Sequence, residues 1–96
     1  MFALPLVHWA SGHREASDIA LTELERKHAA DDAYGIACVH AYRGEINLAI
    51  QWLDRAYRQR DMSMALVKID PLLRNLHGDR RYQALLRTLK LTPEAD

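Results

Sequence analysis

Apolar positions recur along this chain with the spacing of helices, most clearly between Asp31 and Asp61. Ile46, Ala49, Ile50, Leu53, Ala56 and Tyr57 follow the i, i+3, i+4, i+7 rule, which lays one apolar stripe down a helix. Ahead of them, Ala33, Ile36, Ala37, His40 and Ala41 draw a second stripe, and Gly44 stands between the two as the turn. Stripes joined this closely face each other in an antiparallel hairpin. Ala37 and Ala49 are small enough to mark where the axes cross, and Ala56 where the second helix leans on whatever follows.

The same pattern predicts a hairpin before this one and short elements after it. Phe2 to Ala10 and about Arg14 to His28 form the earlier pair, with Ser11-Gly12 in the role of Arg43-Gly44. Pro5 fits the first helix only in its first turn, where the missing N–H has no partner to lose. The second helix carries Ile19, Ala20, Leu21 and Leu24, with Ala16 and Ser17 as close-contact positions. Asp31 or Asp32 then caps the third helix. Beyond Asp61, Ser63 is expected to cap a short helix, Met64 to Ile69, which Asp70-Pro71 stops. The same dipeptide starts the next element, Asp as N-cap and Pro as first helical residue. Leu72, Leu73 and Leu76 make that element an apolar plug of one or two turns. Gly78 ends it, Asp79 caps again, and Tyr82, Leu85, Leu86 and Leu89 form the stripe of the final helix. The expectation is an all-α domain of about five to six helices over residues 1–91, with 92–96 a disordered tail.

Gly44, Ala49, Leu53 and Ala56 stand at the offsets of the turn glycine, the small residue, the large apolar residue and the second small residue of a tetratricopeptide repeat, and the hairpin resembles that family. One repeat matches well and two others in part, with Ala33 where Trp is usual, His40 where Tyr is usual and Asp61 where the closing Pro is usual. Gly12 precedes Gly44 by 32 residues, slightly under the period of about 34, and a shortened loop around Ala29 and Ala30 accounts for the difference. The stretch from Ile69 to Leu91 is similar to a tail that closes many bacterial tetratricopeptide arrays, with Asp79-Arg80-Arg81-Tyr82 standing for an Asp-Pro-Arg-Phe motif. The resemblance implies antiparallel hairpins stacked as a short right-handed superhelix, read here as the closing end of an array that starts at its own Met1. It also implies a non-catalytic scaffold that binds a protein or peptide partner. The concave groove of such an array is lined by the first helix of each repeat, which here offers Asp31, Tyr34, Cys38, Ala41 and Tyr42. Tyr34 and Tyr42 either present aromatic anchors to a bound helix or extended peptide, or pack against the neighbouring repeat. Chaperone-binding members clamp a peptide carboxylate with Lys and Asn at these places; this sequence has neither, so that activity is not expected.

Composition narrows the classes further. With 96 residues the chain fits one small domain. Its 49% hydrophobic content and zero net charge suit neither a disordered tail nor a strongly basic nucleic-acid binder. The balance hides an asymmetry: residues 1–48 carry 4 Lys+Arg against 7 Asp+Glu, net −3, and residues 49–96 carry 9 against 6, net +3. The lone Cys38 forms no internal disulfide, and a reducing cytoplasm is the expected compartment. Phe2 to Ala10 is a poor secretory signal, because no Lys or Arg precedes it and Pro5 and His8 interrupt it. No run approaches the ~20 apolar residues that cross a bilayer.

Candidate chemistry is sparse. His8, His13, His28, His40 and His77 form no HxxxH or HExxH pair, and Cys38 and His40 lie two apart on a helix, pointing to different sides. Asp31-Asp32 reads as capping, and no glycine-rich phosphate loop is present. No catalytic site, cofactor or metal is therefore expected. Gly35 sits inside a helix at a cost of about 1 kcal/mol relative to Ala, marking either close packing or room for a ligand.

Two partner surfaces remain. The first helix holds Phe2, Leu4, Leu6, Val7 and Trp9 and almost no charge, so one apolar face lacks an intramolecular cover. A patch of that kind marks an interface, and a homodimer through Phe2, Leu6 and Trp9 is expected, isologous or by exchange of the helix. The alternative is nucleic acid or an acidic partner held by Arg55, Arg58, Arg60, Arg74, Arg80, Arg81 and Arg87, with Tyr57 and Tyr82 nearby. Asp54, Asp61, Asp70 and Asp79 interleave with those arginines, as in ordinary solvated helix surfaces.

Overall fold

The computed structural model describes residues 3–89, and every regular element among them is helical. Phe2 and the tail at 92–96 lie outside the described residues. Helices α1 (Ala3–Ala10) and α2 (Arg14–His28) form one hairpin, and α3 (Ala33–Tyr42) and α4 (Ile46–Arg58) form a second. Two 3-10 helices follow, Met62–Leu66 and Pro71–Leu76, and α5 (Arg80–Thr88) ends the described chain. The molecule is elongated, 44 × 25 × 18 Å, with the α1/α2 hairpin packed against α3 on one side and the C-terminal elements against α3 and α4 on the other. No helix among the described residues is long and apolar enough to cross a membrane.

Three helix ends close in the same way. After α1, the N–H groups of Ser11, Gly12 and His13 donate to the carbonyls of Val7, Trp9 and His8; after α3, those of Arg43, Gly44 and Glu45 donate to Val39, Ala41 and His40. After α4, Gln59, Arg60 and Asp61 donate to Arg55, Tyr57 and Ala56. The middle residue of each trio takes a left-handed backbone, with φ of 82° at Gly12 and Gly44 and 57° at Arg60. Glycine takes that conformation freely, whereas Arg60 crowds its own Cβ.

The C-terminal third is punctuated by aspartates nine residues apart. Asp61, Asp70 and Asp79 each accept a hydrogen bond from the backbone N–H two residues on, at Ser63, Leu72 and Arg81. Each side chain so satisfies one of the orphan donors at a helix start. Asp61, and not Ser63, is therefore the cap of the first short helix, which begins earlier than the sequence suggested. Pro71 occupies the first turn of the second, as expected. At Asp79 the Arg81 guanidinium and its N–H hold the carboxyl down at about 2.

The core lies around α3. Ala33, Tyr34, Ala37, Cys38 and Ala41 share one cluster with Ala49, Leu53 and Ala56 of α4 and with Val67, Leu73, Leu76, Tyr82 and Leu86. Ile36 and Val39 share a second with Leu21 and Leu24 of α2. Ala37, Ala49, Leu53 and Ala56 are fully buried, and the small ones let helix axes close toward the 8–10 Å of packed pairs. Tyr82 runs across the C-terminal cluster and donates its hydroxyl to the Val67 carbonyl at 2.8 Å.

The shared turn geometry generates a paired prediction. Nothing lies within 4 Å of a Cβ built at Gly44, so Gly44→Ala should cost only backbone strain, about 1–2 kcal/mol. Arg60→Gly removes the same strain and should stabilise, by up to about 1 kcal/mol after the entropy of glycine is charged. Denaturant midpoints of the two variants should move in opposite directions.

Candidate functional site

The face of α3 expected to line an open groove is covered. The second 3-10 helix, Pro71–Leu76, packs along it, so that Tyr34, Cys38 and Ala41 are buried and, of the five groove residues, Asp31 and Tyr42 stay exposed. The cover is pinned by polar contacts. Tyr34 donates its hydroxyl to Asp70 Oδ2 at 2.7 Å, the Cys38 thiol points at the same oxygen from 3.7 Å, and Asn75 Nδ2 donates to the Ala41 carbonyl at 2.8 Å. Burial, with the Asp70 carboxylate adding to it, pushes both the Tyr34 hydroxyl and the Cys38 thiol above their ordinary ranges. Cys38 is thus held as a thiol, the unreactive form. Asp70, which caps the 3-10 helix with its other oxygen, therefore joins the end of one element to the middle of another. Tyr42 stands at the edge of this seal, beside Pro71, Leu72, Arg74 and Asn75.

Gly35 has a local explanation. A Cβ there would meet Asp32 Oδ1 at 2.5 Å, so the carboxylate that begins α3 folds over the glycine and fills the space. Burial raises the Asp32 carboxyl above its usual range, and the nearby charges of Asp61 and Asp31 add to that. The position holds close packing and leaves no room for a ligand.

On the opposite side of α3 a polar network ties four segments together. His40 is buried, with Nδ1 2.8 Å from Glu45 and Nε2 2.8 Å from Glu25 of α2. Both ring nitrogens face carboxylate oxygens, an arrangement that the imidazolium, with its two N–H donors, satisfies at both ends. Arg43 extends the network. Its guanidinium donates to Glu45 at 3.2 Å, to Asp18 at 2.6 Å and to the Ser17 hydroxyl at 3.3 Å, with the side chain 7% exposed. Ser17 in turn donates to the Pro5 carbonyl at 2.9 Å, inside α1. The Arg43 guanidinium also lies over the Trp9 ring, 4.6 Å from its centre, and Arg14 stacks on the same ring at 4.9 Å.

That stacking decides which face of α1 is free. Two arginine guanidiniums lie against the Trp9 ring and Leu6 packs on the Leu21–Val39 cluster, so these two residues expected for self-association are half-buried. Pro5 is buried as well. The outward stripe is instead Ala3, Leu4, Val7 and Ala10, with Leu4 57% and Val7 58% exposed. The arginines of the basic half are distributed differently from a phosphate-binding stripe. Arg58 pairs with Asp54 at 3.0 Å, Arg81 pairs with Asp79 at 2.9 Å and donates to Asn47, and Arg55 lies over Trp52. Between α4 and α5 runs a groove of about 480 Å³, lined among others by Ile50, Tyr57, Ala84 and Leu85. Among the described residues no group of three His, Cys, Asp or Glu side chains converges as metal ligands would.

Compared with protein-family models, curated proteins and solved structures, the chain matches none of them. Sequence reasoning missed Asp70 and Asn75 as partners of α3, and missed Glu25, Arg43 and Glu45 as a network. One signal was available: from Ala33 to Tyr42 the chain has no Lys, Arg, Asp or Glu, so no side of α3 was suited to open water.

Two predictions follow from the two sides of α3. Removing the Asn75 hydrogen bond with Asn75→Ala should loosen the seal by about 1 kcal/mol and raise the rate at which a thiol reagent labels native Cys38 about fivefold. Arg87→Ala, on the exposed side of α5, should leave that rate unchanged. Across the helix, Arg43→Ala strips partners from Glu45, Ser17 and Trp9 and should cost about 3 kcal/mol in denaturant unfolding. The exposed pair broken by Arg26→Ala should cost no more than about 0.5 kcal/mol.

Proposed function

We propose that the chain is a non-catalytic protein-interaction module of the tetratricopeptide kind, built from hairpins stacked with a right-handed superhelical turn, and that it self-associates through the outer face of α1. The supporting observation is the exposed stripe of Ala3, Leu4, Val7 and Ala10 on a helix whose other face is already in the core. A helix that is apolar all round belongs inside a larger core, and among the described residues α1 is covered on one side only. The repeat reading draws on the matched turns at Gly12 and Gly44 and on the burial of Ala37, Ala49, Leu53 and Ala56. The Asp-capped segments after Asp61 suit a closing element, because they fill the side of α3 where a further repeat or a peptide would lie.

The concave groove is not the contact surface in this reading, since Tyr34, Cys38 and Ala41 are sealed under the Pro71–Leu76 helix. Nucleic-acid or acidic-partner binding through the basic half has less support, because Arg58 and Arg81 are already paired with carboxylates.

Val7→Glu tests the proposal. The substitution places a charge in the middle of the outer stripe, at a position 58% exposed. Light scattering across a concentration series should show assembly of the wild-type chain and a monomer for the variant, with helical circular dichroism unchanged. A wild-type chain that stays monomeric throughout would overturn self-association through α1.

A further inference from the structure

The outer face of α1 needs a complementary surface, and one is present at the other end of the same molecule. Leu4 and Val7 are three residues apart and share one side of the helix. The groove between α4 and α5 is lined by Ile50, Tyr57, Ala84 and Leu85, with Asp54 and Arg81 as its charged members. Its apolar lining runs along α4 from Ile50 to Tyr57, seven residues or about 10 Å, and α1 is eight residues, about 12 Å, long. Helix and groove are thus matched in length.

Charge decides how two copies meet. The first half of the sequence carries net −3 and the second half net +3, in a molecule 44 Å long whose halves follow one another along the fold. The α1/α2 hairpin, residues 3–28, carries 4 Asp+Glu against 3 Lys+Arg, net −1, and the two helices that wall the groove, α4 and α5, carry 1 Asp against 5 Arg, net +4. An isologous contact through α1 would bring together two hairpins of net −1 each, with no charge difference to attract them. A contact of α1 with the groove brings the acidic end of one copy to the basic end of the next.

We propose that the apolar outer face of α1 seats in the α4/α5 groove of a second copy of this chain, head to tail. The inference rests on the reading of α1 as the self-association face and adds what it binds. Such a heterologous contact does not close on itself after two copies, so it propagates into open oligomers or a ring. The pairing of opposite net charges makes it weaken as salt screens the ends, between about 0.05 and 0.5 M.

The test is a mixing experiment read by sedimentation velocity. Wild-type chain should exceed the mass of a dimer as concentration rises and fall back toward monomer in high salt. Val7→Glu, which spoils the head, and Ala84→Glu, which spoils the groove at an exposed position, should each be monomeric alone. An equimolar mixture of the two should form a dimer and stop there, because each dimer has one intact head joined to one intact groove. Thr88→Glu, also in the groove, replaces Ala84→Glu should the latter lose helical circular dichroism. If the wild type stops at a dimer that survives both groove variants but not Val7→Glu, the head-to-tail geometry is overturned while the α1 interface stands. If the mixture stays monomeric although the wild type assembles, the groove is not the receptor for α1. A wild type that is monomeric at every concentration overturns this inference and the α1 interface together.

Discussion

A ten-residue helix without a single formally charged side chain sets the terms for the rest of the molecule. Residues Ala33 to Ala41 of α3 are all buried, and the chain must supply cover on every side to achieve that. The α4 helix supplies one side through a turn of three residues, α2 supplies a second, and the Pro71–Leu76 segment supplies the third. The small side chains make this compact. Ala33, Ala37 and Ala41 repeat every four residues, and they share a cluster with Ala49, Leu53 and Ala56. Gly35 belongs to the same economy of space, since only a residue without Cβ leaves room for the Asp32 carboxylate above it.

Burial alone would leave the covering elements free to slide, and the polar contacts remove that freedom. On one side of α3, Asp70 receives both Tyr34 and Cys38 while Asn75 reaches the Ala41 carbonyl. On the other, His40 stands between Glu25 and Glu45, and Arg43 continues from Glu45 to Asp18, Ser17 and the face of Trp9. Each of these groups would be a liability if its partner moved, because an unpaired buried polar atom costs more than the bond contributes when made. The sets therefore act as registers: they penalise displacement of the covering elements more sharply than apolar surface does. The Arg43 set is also the only one among those described that reaches α1, through Trp9 and through Ser17 to Pro5.

Local rules carried much of this. The α2 helix, the turns at Gly12 and Gly44, the Asp70-Pro71 start and the Asp79 cap all depend on neighbours within five residues, and each is where the pattern placed it. At Asp61 the local reading erred: Ser63 was expected as the cap, but Asp61, two residues earlier, accepts the Ser63 N–H and starts the helix at Met62. What lay beyond reach has partners distant in sequence. Nothing near Tyr34 in the chain announces Asp70, 36 residues on, and nothing near His40 announces Glu25. For the same reason the pattern did not show which residues α1 turns outward. Phe2, Leu6 and Trp9 look like the strongest interface residues by size, yet Leu6 and Trp9 are claimed by the Leu21–Val39 cluster and by Arg43, which leaves the smaller Leu4 and Val7 outside.

The two ends of the molecule are consequently unlike. At the C-terminal end three aspartate caps satisfy backbone donors, and the exposed positions of α5 hold Arg80, Arg81, Gln83 and Arg87. At the N-terminal end α1 leans on its neighbours through Pro5, Leu6 and Trp9, and its contact with α3 is slight. Leu4 and Val7 are already part covered, so full burial of each by another surface contributes about 1 kcal/mol. That is modest for affinity but large against the cost of opening a single eight-residue helix, which is marginal when held by tertiary packing on one side. Occupation of the outer stripe thus stabilises α1 itself, and through Trp9 and Arg43 it reaches the network around His40. Covering α1 and ordering the first hairpin are, on this argument, one equilibrium.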